Sequence, residues 1–234
     1  MDIDIQNRPA YAIAVVDLAA DEAVLSEGGA MVTTSENVQV VTERMDVAQG
    51  GDGVLGSVVG AAKQMLAGES FLANRLTAVG EPGEVTLAPK LPGDIDKLTM
   101  DEQTDLVIQS SSFLAGEDGI ALDGEWGGAR SFFGGEGLFM LRASGSGTVL
   151  FNAFGGIDAY DLDGEFIVDT GHIVAFESTL EFEIEKFTSG WISSYLSGEG
   201  LVCRFTGQGT LYTQSRSPEE YGELIGPELP PRES

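Results

Sequence analysis

The sequence is poor in the residues that most catalytic and metal sites need. It has one cysteine, Cys203, so no disulfide can form within the chain. The alternating apolar and polar residues around Cys203 predict a buried small hydrophobe, not a reactive thiol. It has one histidine, His172, around which any zinc site or Ser–His–Asp triad would have to be built. We therefore assign no catalytic residue, no cofactor and no metal.

Cations and long apolar runs are also scarce. Lys plus Arg total 12 against 38 Asp plus Glu, which gives a formal net charge of −26 at pH 7. Binding to nucleic-acid phosphates needs clustered cations, so this balance disfavours DNA and RNA as partners. No stretch approaches the roughly 18 apolar residues of a membrane span, and Met1–Ile5 lacks the features of a signal peptide. We expect a cytoplasmic protein with no membrane span, and peripheral membrane contact is disfavoured.

The acid excess itself predicts a halophilic protein. Net charge this far from zero opposes the compact state by self-repulsion. At about 1 M salt the Debye length is about 3 Å, so that repulsion is largely screened. The alternative is an ordinary acidic protein of a mesophile, whose melting temperature would not rise between low and molar KCl.

Similar strings recur three times along the chain. GESFL at 68–72 returns as GEGLF at 135–139 and GEGLV at 198–202, at steps of 67 and 63 residues. An upstream anchor also recurs, as EGGAMV at 27–32, more weakly as QSSSFL at 109–114, and as DTGHIV at 169–174. Anchors in the same order at a near-constant period predict three tandem copies of one module.

The anchors also divide the chain. We assign residues 1–218 to a single three-repeat β domain, with repeats at about 8–93, 94–157 and 158–218, and residues 219–234 to a polar C-terminal tail. The two anchors are 41 residues apart in the first repeat, against 26 and 29 in the others. The first repeat therefore carries an insertion, which we place at Gly50–Ala67.

Most of the local pattern is typical of strands. Leu180, Phe182 and Ile184 alternate with glutamates, as on a sheet with one wet face. Gly145–Gly147 and Gly207–Gly209 predict tight hairpin turns, because glycine accepts positive φ. Short strands separated by glycine predict an all-β sandwich.

Only two segments have a helical pattern. Val54–Leu66 has apolar residues at helical spacing and predicts one short helix in the first repeat. Trp191–Leu196 predicts at most a single turn.

Several strings together resemble the altered-inheritance-of-mitochondria family number twenty-four, formerly a domain of unknown function. The resemblance covers about residues 8–218. It rests on the order and spacing of DTGHIVAF at 169–176, the two GEGL strings, PGDI at 92–95 and QSRSP at 214–218.

The resemblance implies a fold like that of the tryptophan RNA-binding attenuation protein. Three fused β-sandwich units of the double-stranded β-helix type would take a pseudo-threefold arrangement, and the chain would assemble as a homotrimer with pseudo-ninefold symmetry. The mitochondrial member of the family is linked to inner-membrane organisation, and the family offers no catalytic residues to carry over. This sequence departs from the family in its acidity and in Gly28, where a proline is frequent.

Two motifs suggest ligand chemistry but have simpler interpretations. Gly51–Gly56 satisfies the G-x-G-x-x-G pattern of dinucleotide binding, yet the second βα unit that this site requires does not follow. We interpret it as a connector. Asp161–Glu165 faintly resembles a calcium loop without its spacing, and its Asp-Gly pair favours a hairpin turn.

The repeated motif residues are interpreted as structural. They are Gly68, Glu69, Gly135, Glu136, Gly198, Glu199, Asp169, Gly171 and His172. We expect each glutamate to accept backbone hydrogen bonds at its glycine turn or to pair with Arg75, Arg142 or Arg204. Three equivalent carboxylates would lie too far apart to form the close pair of a glycosidase.

These observations favour a non-enzymatic, self-assembling β protein that acts as a scaffold or binding platform, with a homotrimer as the expected assembly. The alternative is a small-molecule hydrolase or nucleotide-binding enzyme with a site near Gly51 and His172. That enzyme would need a deep pocket with convergent polar groups.

Overall fold

The structure is a computed structural model that describes residues 1–45, 71–124, 140–186 and 201–230. The fold is mostly β, as expected, with one short α-helix in the described residues. The strands are β1 (Asp2–Gln6), β2 (Ile13–Leu18), β3 (Ala23–Glu27), β4 (Met31–Thr34), β5 (Val38–Met45), β6 (Phe71–Ala78), β7 (Gly83–Leu87), β8 (Ile95–Met100), β9 (Leu106–Gln109), β10 (Phe113–Glu117), β11 (Ile120–Asp123), β12 (Met140–Gly145), β13 (Gly147–Asn152), β14 (Ile157–Asp169), β15 (Ile173–Glu177), β16 (Glu181–Lys186) and β17 (Leu201–Gln214), and the helix is α1 (Pro218–Ile225).

The strands form three sheets in which neighbours run antiparallel. The first has the order β1-β2-β7-β4, the second β5-β6-β3-β10-β13-β8, and the third β11-β12-β9-β15-β17-β14, with β16 also paired to β17. The second and third sheets are each joined at their centre by one strand pair, β3 with β10 and β9 with β15. Strands distant in sequence therefore meet at the middle of both sheets.

Glycines mark bends within strands or between sheets, and the hairpin turns expected at these glycines are wrong. β14 and β17 pair along their whole length, with Gly164 opposite Gly207, at φ values of 131° and 111°. β12 pairs with β9 and β11, whereas β13 pairs with β8 and β10, so Gly145–Gly147 also joins two sheets. A hairpin needs the two flanking strands to pair with each other. Here glycine supplies the positive φ of a bend within or between strands.

Large aromatic side chains are buried in two of the apolar clusters, with Phe113 and Phe151 in one and Phe176 and Phe205 in the other. Phe113, Phe151, Phe176 and Phe205 are fully buried, and the rings of Phe176 and Phe205 lie 5.0 Å apart, edge to face. On β16, the predicted alternation is confirmed, since Phe182 and Ile184 are partly buried against this core. Burial of a phenylalanine contributes about 1.5–3 kcal/mol to stability, so these buried rings are a main source of the stability of the fold.

One register shift occurs in three strand pairs. In β4–β7 the partners change from Met31↔Leu87 to Thr33↔Thr86. The same one-residue slip occurs in β10–β13 between Phe113 and Ala115, and in β15–β17 between Ile173 and Ala175. Each shift is a β-bulge that leaves one extra residue, namely Val32, Leu114 or Val174. The three bulges lie at the same place relative to the 27–32, 109–114 and 169–174 anchors.

The helix α1 was missed by the sequence analysis, which treated residues 219–234 as a polar tail. Ser217 caps it, because its Oγ accepts from the Glu220 N–H at 3.3 Å, and Pro218 occupies its first turn. The Tyr221 ring packs on Phe154 at 5.1 Å. The expected insertion at Gly50–Ala67, with its helix at Val54–Leu66, and the turn at Trp191–Leu196 lie outside the described residues.

Gly93→Ala should destabilise the fold by about 2 kcal/mol or more, because a Cβ at Gly93 would overlap the carbonyl oxygen of Ala153 and approach the Gly155 nitrogen to 2.7 Å. Gly222→Ala is the matched control, since open space surrounds that position within α1. It should be neutral or stabilising by up to about 1 kcal/mol. Urea unfolding measures both variants, and equal midpoints would contradict the close approach at Gly93.

Candidate functional site

Three short connectors lie at the recurring upstream anchors, and the third holds the described residues of the predicted site, Asp169, Gly171 and His172. Residues 28–30 join β3 to β4, Ser110–Ser112 join β9 to β10, and Thr170–His172 join β14 to β15. The last two are single turns of 3-10 helix. The connectors therefore occupy corresponding places in the strand order.

His172 and Asp169 are bonded to the backbone in the third connector. The His172 Nδ1 lies 2.7 Å from the carbonyl oxygen of Gln214. The Asp169 Oδ1 accepts from the Gly171 N–H at 2.8 Å, as the N-cap of the turn. The imidazole and the carboxylate thus each hold the chain in place, which is the arrangement of a structural histidine and a structural cap.

Buried amides fix the same connectors from the far side. The Gln214 Nε2 donates to the Gly171 carbonyl oxygen at 2.9 Å, and its Oε1 accepts from the Phe154 N–H at 2.9 Å. In the second connector the Asn152 Nδ2 donates to the Ser112 carbonyl oxygen at 3.1 Å. Asn152 ends β13 and Gln214 ends β17. The sequence analysis did not identify these amides, because an amide at a strand end has no distinctive spacing.

An ion pair between a buried carboxylate and an exposed lysine lies next to the first connector. Glu27, at the end of β3, is buried, and its Oε1 accepts from the Lys90 Nζ at 2.5 Å. Burial raises the pKa of the Glu27 carboxyl, and the hydrogen bond from Lys90 only partly offsets this. The ionised form of Glu27 is therefore disfavoured by the fold.

Glu27→Gln should raise the free energy of unfolding at pH 7. A carboxyl with a raised pKa contributes its stability below the unfolded-state pKa and loses it as the pH rises through the folded-state pKa. The gain should therefore vanish near pH 4, about the ordinary pKa of glutamate. Urea unfolding at both pH values measures it. The matched variant Lys90→Met leaves the carboxylate unpaired and should destabilise the fold at pH 7 but not at pH 4. A Gln variant less stable than wild type at pH 7 only would contradict this account.

Among the described residues the three arginines are each paired with acids. Their described contacts are Arg75 Nε to Glu43 Oε1 at 2.6 Å, Arg142 Nε to Asp105 Oδ2 at 2.7 Å and Arg204 Nε to Glu185 Oε1 at 2.8 Å, with further contacts from Arg75 to Asp118 and from Arg204 to Glu165. Gly68, Glu69, Gly135, Glu136, Gly198 and Glu199 lie outside the described residues. The expected bonds of these glutamates stay a prediction.

The arginines also mark corresponding positions in three strands. Arg75 stands opposite Leu25, Arg142 opposite Val107 and Arg204 opposite Ile167. β3, β9 and residues 165–169 of β14 are therefore matched strands. β4, β10 and β15 are matched in the same way by their bulges.

Two of these matched segments lack the partner that the others have. β3 pairs with β10 and β9 pairs with β15. Among the described residues, β4 pairs only with β7, and residues 165–169 pair only with β17. We call β4 and residues 165–169 the open edges.

Burial differs at the open edges in the way that the missing partner predicts. All four residues of β4 are exposed, Val32 by 56%, whereas its counterparts Leu114 and Val174 are fully buried. Ile167 is 41% exposed, whereas its counterparts Leu25 and Val107 are buried. Isolated apolar residues on a surface are ordinary, but exposed strand edges are sites where another chain can pair.

The other candidate motifs show no ligand geometry in the described residues. Burial raises the pKa of the Cys203 thiol to about 12, which leaves no nucleophilic thiolate at neutral pH. Asp161–Glu165 lies within β14 and not in a loop. Within residues 1–45, 71–124, 140–186 and 201–230 no group of three His, Cys, Asp or Glu side chains is placed to hold a metal, and no helix there is long and apolar enough to span a membrane. Gly51–Gly56 lies outside those ranges.

Comparison with known proteins identifies the family. A sequence model of the family described as Mitochondrial biogenesis AIM24 matches residues 3–216. The chain belongs to this family. An uncharacterised protein of Streptococcus pyogenes serotype M6 is 31% identical over 234 residues, which cover 98% of this chain and 92% of the relative. The resemblance drawn from the repeated strings is therefore confirmed.

A crystal structure shows a similar fold. A Streptococcus pyogenes protein solved by X-ray crystallography is similar to this chain with a TM-score of 0.76 at 29% sequence identity, over 97% of this chain and 99% of that one. These relatives carry a fold without an assigned activity.

Proposed function

We propose that this AIM24 chain is a non-enzymatic protein that assembles with copies of itself into a homotrimeric ring and serves as a scaffold or binding platform. The observation that carries the proposal is the pair of open edges. Each edge is the counterpart of a strand that is paired and buried elsewhere in the same chain. A second copy of the chain offers the missing partner of each edge.

The proposed ring depends on a threefold repeat within the chain. The recurring bulge, the recurring arginine and the recurring connector each occur three times in the same strand order. We infer three tandem lobes, each linked to the next by one strand pair, β3–β10 and then β9–β15. The next pair in this series joins residues 165–169 of one chain to β4 of another.

The register of the joint follows from the two joints within the chain. Ala115 pairs with Ser26 and Gly116 with Leu25, and Ala175 pairs with Ile108 and Phe176 with Val107. The corresponding pairs between copies are Thr33 with Val168 and Thr34 with Ile167. This contact is head to tail, so it closes into a ring if the rotation allows it. The number of chains in the ring, three, is what the family resemblance implies, and it gives nine lobes around the axis.

The proposal of a non-enzymatic role is supported by the connectors. The described hydrogen bonds of His172, Asp169 and Gln214 are made with backbone atoms. These polar groups therefore stabilise the connector. A ring presents the same surface several times, which suits a binding platform. Within the described residues no contact favours the alternative of an enzyme near Gly51 and His172.

Ile167→Asp should convert the trimer to a monomer, because a carboxylate would be buried without a partner at the joint. Val32→Asp on the other edge should do the same. Both side chains are exposed in the lone chain, so the monomer should stay folded. The control is Val41→Asp, an equal change of charge at a residue 47% exposed on β5, which belongs to a different sheet from either open edge. Light scattering should give about three times 24.6 kDa for wild type and the control, and 24.6 kDa for the edge variants. Unchanged mass in both edge variants would remove the proposed joint.

Salt should promote assembly, because three chains of net charge −26 must be brought together. At about 0.1 M salt the Debye length is about 10 Å, and at about 1 M it is about 3 Å. We expect both the trimer fraction and the melting temperature to rise from about 0.1 M to molar KCl. Ile167→Asp serves as the control, since its mass should be that of a monomer at both concentrations. Weaker association in molar KCl would contradict a halophilic ring.

A further inference from the structure

The segments that lead from lobe to lobe form a row of backbone hydrogen bonds. The Ala12 N–H donates to the Gly93 carbonyl oxygen at 2.9 Å, and the Asp94 N–H donates to the Gly155 carbonyl oxygen at 2.8 Å. The Ser215 N–H then donates to the Gly156 carbonyl oxygen at 3.0 Å. The row therefore runs from the N-terminal turn, through the two internal linkers, to the segment that follows β17.

The internal linkers are short, and this limits where the chain ends can lie in a ring. Residues 88–94 join β7 to β8, and residues 153–156 join β13 to β14. Seven residues span at most about 25 Å when extended. Suppose that β4 of the next copy pairs with residues 165–169. By analogy with the two internal linkers, β2 of that copy then begins within about 25 Å of the end of β17. The N-terminal turn of that copy, residues 7–12, then lies beside residues 215–230 of the first chain.

Both of these segments expose apolar side chains. Leu224 on α1 and Leu229 after it are 73% and 60% exposed. On the N-terminal turn, Tyr11 is 74% exposed. The helix is seated by Tyr221 on Phe154, and the turn is held by a two-pronged contact from Arg8 to Asp94 at 2.8 and 2.9 Å. Two fixed elements therefore present unpartnered apolar surface at the same place in the ring.

We propose that the C-terminal segment of one chain clasps the N-terminal turn of the next copy, with Leu224 and Leu229 covering Tyr11. This inference rests on the proposed ring. It goes beyond the paired strand edges, because it assigns a second contact between copies, made of side chains. The occupant of the exposed Leu224 and Leu229 surface is a second copy of this chain.

Cross-linking tests the clasp. The double variant Tyr11→Cys/Leu224→Cys is treated with a short bis-maleimide in molar KCl. Cys203 is fully buried and stays unlabelled in the folded protein. We expect the monomer band on a denaturing gel to be replaced by covalent dimers and trimers. The control is Val79→Cys/Leu224→Cys, since Val79 is also exposed, by 51%, but precedes β7, whereas the 88–94 linker follows it. It should stay monomeric on the gel.

The outcomes separate the clasp from the ring. A native trimer by light scattering whose cross-linked yield is no higher than that of the Val79 control would overturn the clasp and leave the ring standing. A native monomer in molar KCl would overturn the ring and the clasp with it. Cross-links confined within one chain, which leave the mass on the gel unchanged, would also overturn the clasp.

Discussion

The strand pairs β3–β10 and β9–β15 are the interaction on which the rest of the structure depends. Each joins two stretches far apart in sequence into one continuous sheet. The apolar residues next to each of these strand pairs are buried because the pairing brings the other half of the sheet alongside them. An exposed backbone edge can form the same pairing with another chain, and among the described residues β4 and residues 165–169 each present such an edge.

The charge distribution is consistent with this architecture. Buried carboxylates are costly unless a cation or a set of hydrogen bonds accompanies them. Glu27 is met by Lys90, and Asp94 by Arg8. On β16, Glu181 and Glu183 are exposed. Among the described residues, Arg75, Arg142 and Arg204 also pair with acids of neighbouring strands or loops, so these cations help to hold the strands together.

Much of the fold could be predicted from the sequence, and the failures have physical causes. Alternation identified β16, and the repeated anchors located the three connectors, because period and punctuation are local properties. The glycines at 145–147, 164 and 207 were misread as hairpin turns. A glycine in the sequence indicates a position of positive φ. Whether the flanking strands pair with each other, as in a hairpin, or the chain only bends there, depends on strand pairing that the local sequence does not show. The helix α1 was missed because its pattern is short and its anchor, Phe154, is distant in sequence. Asp169 and His172 lie at one connector in the structure, whereas Gln214, which holds that connector, carries no signal of its own in the sequence.

Amide hydrogen exchange at the open edges tests the central claim most directly. Exchange rates report whether the outward-facing amides of a strand are hydrogen-bonded. In molar KCl the account predicts that amides of β4 and of residues 165–169 exchange as slowly as those of their counterparts in β10, β15, β3 and β9. Rapid exchange at both open edges, with slow exchange in those four strands, would contradict it.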